Sequence, residues 1–485
     1  MRQTTADEVR YLTACFYGWL KRVPALLWPL LLLCTLWCIP TPQGLSTQTW
    51  HLFAIFFTTI ISIILNPLPM GAICLMALAL CGITQTLKIT EILSAFSSNI
   101  IWLILLAFLL ARGFIKTGLG ARLAYYFMRS MGKSSIGLAY GLITTEFILA
   151  PFTPSNTARG GGIVYPIVQA LSEKYQSSPQ EGSSRKIGAY LMKLAYQANV
   201  ITSAMFLTSM AANPLIASLA SSFGFEISWK TWALAALVPG LFNLALLPWI
   251  LQWIYPPELS HTPDAPLFAK QKLLEMGPLK RDEWIMLLTF GLLLTLWVMG
   301  SYLSIDPAIA ALLGLSILLA TKVLTWDDVL REQNAWHTFI WMATLLMMSG
   351  YLSQFGMMQW LGQHLQNSVG HLPWVTVLII ASLLYFYIHY AFASMTAHIS
   401  AMYTAFATVA ITAHAPVVLV LLLLAFFSSL CAGITHYGTG SAPVYFGAGY
   451  VPFKDWWRVG GILSIVNILI WSLVGGLWWK VLGLY

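Results

Sequence analysis

The chain has 485 residues, 58% of them apolar and only 9% charged, with a formal net charge of +8 and a mean hydropathy of +0.75. Soluble domains carry about 25% charged residues, so this sequence cannot cover a water-facing surface and lipid must be its solvent. The positive balance does not point to nucleic acid, because Lys and Arg lie between apolar runs rather than in one patch.

Residues 1–23 are polar and basic, with Arg2, Arg10, Lys21 and Arg22, and the apolar run that follows has no small-residue cleavage site. They read as a cytoplasmic N-terminal segment ahead of a retained first helix, not as a cleaved signal. A span needs about 20 apolar residues. Eleven candidates follow: 24–43, 49–67, 69–87, 99–118, 187–221, 230–254, 284–303, 306–323, 337–357, 416–446 and 458–481. Residues 255–283 form a cytoplasmic linker between a first half, 24–254, and a second half, 284–485. The six cysteines, Cys15, Cys34, Cys38, Cys74, Cys81 and Cys431, show no metal-ligand spacing. Cys34 and Cys38, one turn apart in an apolar helix, read as packing.

Two further apolar stretches, 134–172 and 373–411, fit poorly as single spans. The first is interrupted by Thr153-Pro154-Ser155-Asn156-Thr157-Ala158-Arg159 and Gly160-Gly161-Gly162, the second by Ser394-Met395-Thr396-Ala397-His398. Irregular backbone at membrane depth is tolerated only where protein or a water-filled cavity surrounds it. Both stretches therefore read as re-entrant hairpins with polar tips near the midplane. The fold class predicted is an all-α polytopic membrane protein, with about eleven transmembrane helices and two re-entrant hairpins.

Positive charge gathers on one side of this layout, at Lys116, Arg122, Arg129, Lys133, Lys174, Lys280 and Arg281 among others. The positive-inside rule then places the N-terminus in the cytoplasm and the C-terminus outside. The first hairpin enters from the cytoplasm between Lys133 and Lys174, and the second from the opposite side. Tryptophans near span ends (Trp28, Trp229, Trp284, Trp374, Trp456, Trp457) read as interfacial anchors.

The halves repeat at a fixed offset. Ile101-Trp102 matches Ile340-Trp341, and Ser155 and Thr157 match Ser394 and Thr396, all 239 residues apart. Each hairpin is followed by a broken helix, at Ser209-Met210-Ala211-Ala212-Asn213-Pro214 and at Gly438-Thr439-Gly440-Ser441-Ala442-Pro443. Inverted-topology repeats with discontinuous helices hold substrate at the repeat interface of secondary transporters, and helix N-termini there suit a carboxylate. No G-x-x-x-x-G-K-[ST] is present, which argues against ATP-driven transport.

The candidate binding residues follow from this placement, because polar groups deep in a membrane are costly and line pathways. At the first tip they are Thr153, Pro154, Ser155, Asn156 and Thr157; at the second, Ser394, Met395 and Thr396. The breaks add Ala212, Asn213 and Pro214, and Thr439, Gly440, Ser441, Ala442 and Pro443. The competing structural role is a capped turn at each tip and a proline kink at each break. Arg159 and His398 are also 239 residues apart. They are expected to place positive charge where a sodium-coupled transporter would hold cations, which makes exchange without sodium the natural mode. Asn199 and His436 read as structural.

The motif Pro154–Gly162 together with Ser394–His398 resembles the divalent anion:sodium symporter (DASS) family. The likeness is to the branch of 2-oxoglutarate/malate translocators and citrate/succinate-type antiporters. Leu324-Thr325-Trp326-Asp327-Asp328-Val329-Leu330 is similar to a stretch before the ninth helix of that family, and the likeness runs from about residue 24 onward. The resemblance implies scaffold and transport domains in an elevator, a homodimer in the lipid bilayer, small dicarboxylate substrates and no cofactor. It also implies that Ser155, Asn156 and Thr157 form a substrate and first-cation site. Met395 stands where the sodium-coupled pattern has Asn, so sodium at Asn156 and Ser394 belongs only to the alternative, a sodium-coupled dicarboxylate symporter. The expected location is a bacterial inner membrane, with a plastid inner envelope as the alternative. A channel would not need two occluding hairpins, and a membrane enzyme should show clustered intramembrane Asp/Glu or a His-rich metal motif, whereas apart from Glu146 and Arg112 the predicted membrane interior offers few charged residues.

Overall fold

The computed structural model describes residues 27–65, 67–392 and 394–485. The basic N-terminal segment, Cys15 and the first residues of the first predicted span lie outside the described residues. Every regular element described is helical, apart from one isolated bridge between Ser134 and His261. All eleven predicted spans contain a helix, and each predicted hairpin consists of two helical limbs around a short extended tip.

The helices fall into two compact units. One comprises the described residues up to Phe96 together with Ile340–His364. It holds α1 (Leu27–Cys38), α2 (Thr47–Leu65) and α3 (Met70–Ile83). Pro40 and Pro42, which lack backbone donors, follow the end of α1, and Ser46 starts α2 by accepting from the Thr49 amide at 3.1 Å. Thr49 and Trp360 close this unit through bonds to the carbonyls of Phe355 (3.2 Å) and Gln43 (2.9 Å).

The other unit comprises Ser97–Phe339 and Leu365–Tyr485. It begins with α4 (Asn99–Thr117), which ends at the left-handed Gly118 (φ 77°) and turns directly into the amphipathic α5 (Leu119–Met131). The first hairpin follows. Its entering limb is α6 (Ser135–Leu149), capped by Ser134. Its returning limb, α7, runs from Asn156–Arg159 through a π turn at Gly160–Val164 into Tyr165–Lys174. Then comes α8 (Gly188–Met205), every residue of which is buried, so that it forms the spine of the unit. After a break come α9 (Asn213–Ser221) and α10 (Trp229–Ile254). In the predicted linker, α11 (Ala265–Met276) is tied to α5 at its C-terminal end, because Arg122 donates to the Gly277 carbonyl at 2.8 Å. Arg122 also pairs with Glu283 at 2.5 Å, at the start of α12 (Arg281–Leu303).

The second half continues with α13 (Pro307–Ala320), α14 (Trp326–Arg331), α15 (Gln333–Gln354) and α16 (Met357–Val369). The motif around Asp328 is a capping box: Thr325 Oγ1 accepts from the Asp328 amide and Asp328 accepts from the Thr325 amide. Lys116 adds an ion pair at 2.5 Å. Partial burial pushes the Asp328 carboxyl up, but Lys116 and Thr325 outweigh it and hold the group at about 2. The second hairpin is α17 (Trp374–Ile388) and α18 (Met395–Thr412), followed by α19 (Val417–Leu430), a break, α20 (Ala442–Gly447) and α21 (Phe453–Val481).

Two tryptophans expected at the interface are packed inside instead. Trp229 and Trp456 are 5% and 0% exposed, whereas Trp28, Trp284 and Trp374 are exposed. Trp229 donates to Thr208 at 3.1 Å and stacks on Phe206, and Trp456 lies under the ammonium of Lys193 at 3.9 Å. Position near a span end is therefore not enough to make an anchor; these indoles find partners within the fold.

Candidate functional site

Both hairpin tips are built by the same local chemistry. Thr153, held extended before Pro154, leads into Ser155, whose hydroxyl accepts from the Ala158 amide at 3.1 Å and starts α7. Ser394 accepts from the Ala397 amide at 3.4 Å and starts α18. Each helix thus begins at a serine cap with free N–H groups in its first turn and the positive end of its dipole at the tip.

The two breaks meet these tips. Asn156 donates to Thr439 Oγ1 at 2.7 Å, joining the first tip to the second break. Thr157 closes on Gly440 so tightly that a Cβ at Gly440 would lie 2.3 Å from its hydroxyl. Asn199, in α8, donates to the Asn156 carbonyl at 3.1 Å and accepts from Ser441 at 3.0 Å. Asn213 instead seals its own break, donating to the carbonyls of Ser203 (2.8 Å) and Phe206 (2.9 Å).

An open cleft of about 1030 Å³ results, into which both tips and both breaks contribute. Of the residues singled out in the sequence, Pro154, Ser155, Asn156, Thr157, Ala212, Ser394, Met395, Thr396, Thr439 and Gly440 line it. Thr153, Asn213, Pro214, Ser441 and Ala442 are buried and do not line it, and Pro443 is exposed outside it. The cleft also takes Met210 and Ala211 from the first break, Ala158, Phe108 of α4, and Asn334, His337 and Thr338 of α15. None of these seven was among the sequence candidates; Met210, Ala211 and Ala158 fall inside the interruption and break motifs, whereas Phe108, Asn334, His337 and Thr338 lie outside them. Residues 334, 337 and 338 share one helix face, which is the signal that could have found them; Phe108 sits in an uninterrupted apolar run and carries none. Among the described residues no Asp, Glu, Lys or Arg lines the cleft, so an anion entering it meets helix N-termini, hydroxyls, amides and one histidine.

Arg159 and His398 stand apart from the cleft lining. Arg159 is fully buried and pairs with Glu146 at 2.6 Å, so its charge is balanced. Its remaining donors fill a cage of oxygens: the carbonyls of Thr153 (2.9 Å) and Ser209 (3.0 Å) and the hydroxyls of Thr202 (3.3 Å) and Ser203 (3.0 Å). Asn199 adds its side-chain amide to Glu146 at 3.2 Å, so it ties this network to the first tip and the second break. His398 is fully buried, with Nε2 3.0 Å from the Tyr385 carbonyl. Gly160, directly after Arg159, admits protein rather than ligand: a Cβ there would lie 3.0 Å from Asn199, and Tyr445 donates to its carbonyl at 2.9 Å.

Residues 20–485 match the family described as the sodium:sulfate symporter transmembrane region. The chain belongs to this family, the divalent anion:sodium symporters. It is 52% identical over 451 residues to the putative malate transporter YflS of Bacillus subtilis (strain 168), covering 93% of this chain and 94% of that one. It is 50% identical to the chloroplastic dicarboxylate transporter 1 of Spinacia oleracea, over 93% of this chain and 80% of that one. The inner membrane protein YbhI of Escherichia coli (strain K12) is 36% identical over 94% and 98% of the two chains. Among solved structures, the YdaH transporter of Alcanivorax borkumensis superposes with a TM-score of 0.57 over 79% of this chain and 85% of that one. At 13% identity that likeness concerns the fold. This DASS chain is therefore a multi-pass membrane transporter and not an enzyme.

Proposed function

We propose that the protein exchanges small dicarboxylates, 2-oxoglutarate, malate and succinate, with citrate as a tricarboxylate member of the set, across a bacterial inner membrane without sodium. The observation that carries the reading is the cleft itself. Two serine-capped helix starts and two helix breaks face it, and among the described residues no carboxylate lines it to repel an anion. The relatives named as malate and dicarboxylate transporters agree with that substrate class.

Independence from sodium is supported by the oxygen cage behind the first tip. Its carbonyls and hydroxyls are the ligand types a hard cation takes, and the tethered guanidinium of Arg159 already fills them. Met395 at the second tip, in place of an amide, points the same way. A carrier whose cation is part of the chain gains no driving force from an ion gradient, and one-for-one exchange is the mode left to it. We take the protein to work as a homodimeric elevator, with the N-terminus cytoplasmic and the C-terminus outside. The repeats meet at the linker 255–283, and the two hairpins approach the cleft from opposite membrane faces. Substrate contacts fall to Ser155, Asn156, Thr157, Ser394, Thr396 and Thr439.

The test is uptake of radiolabelled 2-oxoglutarate into proteoliposomes, with or without internal malate, in sodium or choline buffer. Uptake that needs internal malate and ignores sodium is expected. Uptake into empty vesicles that appears only with sodium would make the protein a symporter and overturn the reading of Arg159.

A further inference from the structure

Behind the second tip, three side chains meet that the cleft does not use. His389 lies in the turn His389–Ala391 that ends the first limb of the hairpin. His398 lies in the first turns of α18, and Cys431 opens the turn Cys431–Gly433 at the end of α19. All three are fully buried, and one ligand atom from each lies within 4.8 Å of the other two.

The hydrogen bonds fix the histidine tautomers. Nε2 of His389 is 3.0 Å from the Gly438 carbonyl, and Nε2 of His398 is 3.0 Å from the Tyr385 carbonyl. A carbonyl only accepts, so each Nε2 carries the proton and each Nδ1 keeps its lone pair. Both Nδ1 atoms are buried without a hydrogen-bond partner. Leaving a buried acceptor unsatisfied is destabilising, and here it happens twice within one cluster. An imidazole that donates one N–H to a backbone carbonyl and holds the other nitrogen free is the arrangement of a metal ligand with its outer shell in place.

We propose that His389, His398 and Cys431 form a three-coordinate site for a soft monovalent metal ion, with Cu⁺ as the probe. Two imidazoles and a thiolate are a soft to borderline donor set. One thiolate balances one positive charge, so a monovalent ion leaves the site neutral in a low-dielectric interior, whereas a divalent ion would leave a net charge. On binding, the thiol proton leaves to solvent as the metal–sulfur bond forms, with no change of oxidation state. Metal–nitrogen and metal–sulfur bonds of about 2.0 and 2.3 Å would draw the donors together, pinning the second hairpin against the break after α19. Bound ion is thereby expected to slow transport.

The experiment uses purified full-length protein in detergent, titrated with Cu⁺ in competition with a chromophoric chelator. X-ray absorption is recorded at one equivalent. A variant carrying Cys34→Ser and Cys38→Ser removes the two thiols that are exposed among the described residues. The expected result is one tight ion with one sulfur and two imidazole nitrogens, retained in that variant. Cys431→Ser should abolish it and His389→Gln should weaken it at least tenfold, both in monodisperse protein. Should Cys431→Ser fail to fold, the absorption spectrum of the Cys34→Ser/Cys38→Ser protein decides alone. Sulfur-only coordination, no tight ion, or full binding in Cys431→Ser would overturn the proposal, whatever the outcome of the transport assay.

Discussion

Ser155 and Ser394 cap α7 and α18 in the same way, at 3.1 and 3.4 Å, yet the residue four positions further on is Arg159 in one hairpin and His398 in the other. Behind the first tip lies a charged network of Arg159, Glu146, Asn199, Thr202 and Ser203. Behind the second lies a set of neutral contacts among His398, His389, Tyr385 and Phe392. A tip needs only a cap and an extended lead-in, which a repeat can copy as a short motif. What stands behind it is set by partners from other elements, and there the two halves diverge.

The largest effect should come from breaking that asymmetry at its charged end. Arg159→Gln leaves Glu146 buried and unpaired and is expected to cost about 3–5 kcal/mol, read as a sharp fall in detergent thermal stability and loss of uptake. Adding Glu146→Gln should recover much of the stability, and recovery in this double variant measures the coupling. His398→Gln should cost far less in the same melt, about 1 kcal/mol, since only one hydrogen bond to a carbonyl is at stake. Equal losses at the two positions would refute the contrast.

Next comes Gly440→Ala. Its Cβ would press on the Thr157 hydroxyl at 2.3 Å, so exchange should fall at least tenfold and the melting point with it. Thr157→Ala in the same chain should restore the melting point but not the uptake, because Thr157 also faces the cleft. Asn156→Ala removes the tie to Thr439 and should cost about 1 kcal/mol, with a larger loss in transport than in stability. The smallest effects are expected at the caps. Ser155→Ala and Ser394→Ala should each cost about 1 kcal/mol, the former more because its bond is shorter, as paired melts of the two variants would show.

Much of this was legible in the sequence. Spans, hairpins and breaks followed from apolar run length and from interruptions such as Thr153–Arg159 and Ser394–His398, because lipid leaves irregular backbone few places to go. The lining roles of Asn156, Thr439 and Gly440 followed too, since they sit at those interruptions. His337 and Asn334 did not stand out, because polar residues at the start of a span usually face the interface. Trp229 and Trp456 were misread for a related reason: the position along a span does not say which way a side chain points.

The sequence by itself determined that the chain lives in a membrane, where it crosses, where its two tips lie, and that they are copies of one motif. These are local properties, fixed by burial in lipid and by cap chemistry within a few residues. Only the tertiary structure decided that Arg159 is matched by Glu146, that Asn199 links a hairpin to a helix break some 240 residues away, and that two histidines and a cysteine share one buried corner. A guanidinium or an imidazole takes its role from whichever distant groups are folded against it, and no spacing along the chain encodes that choice.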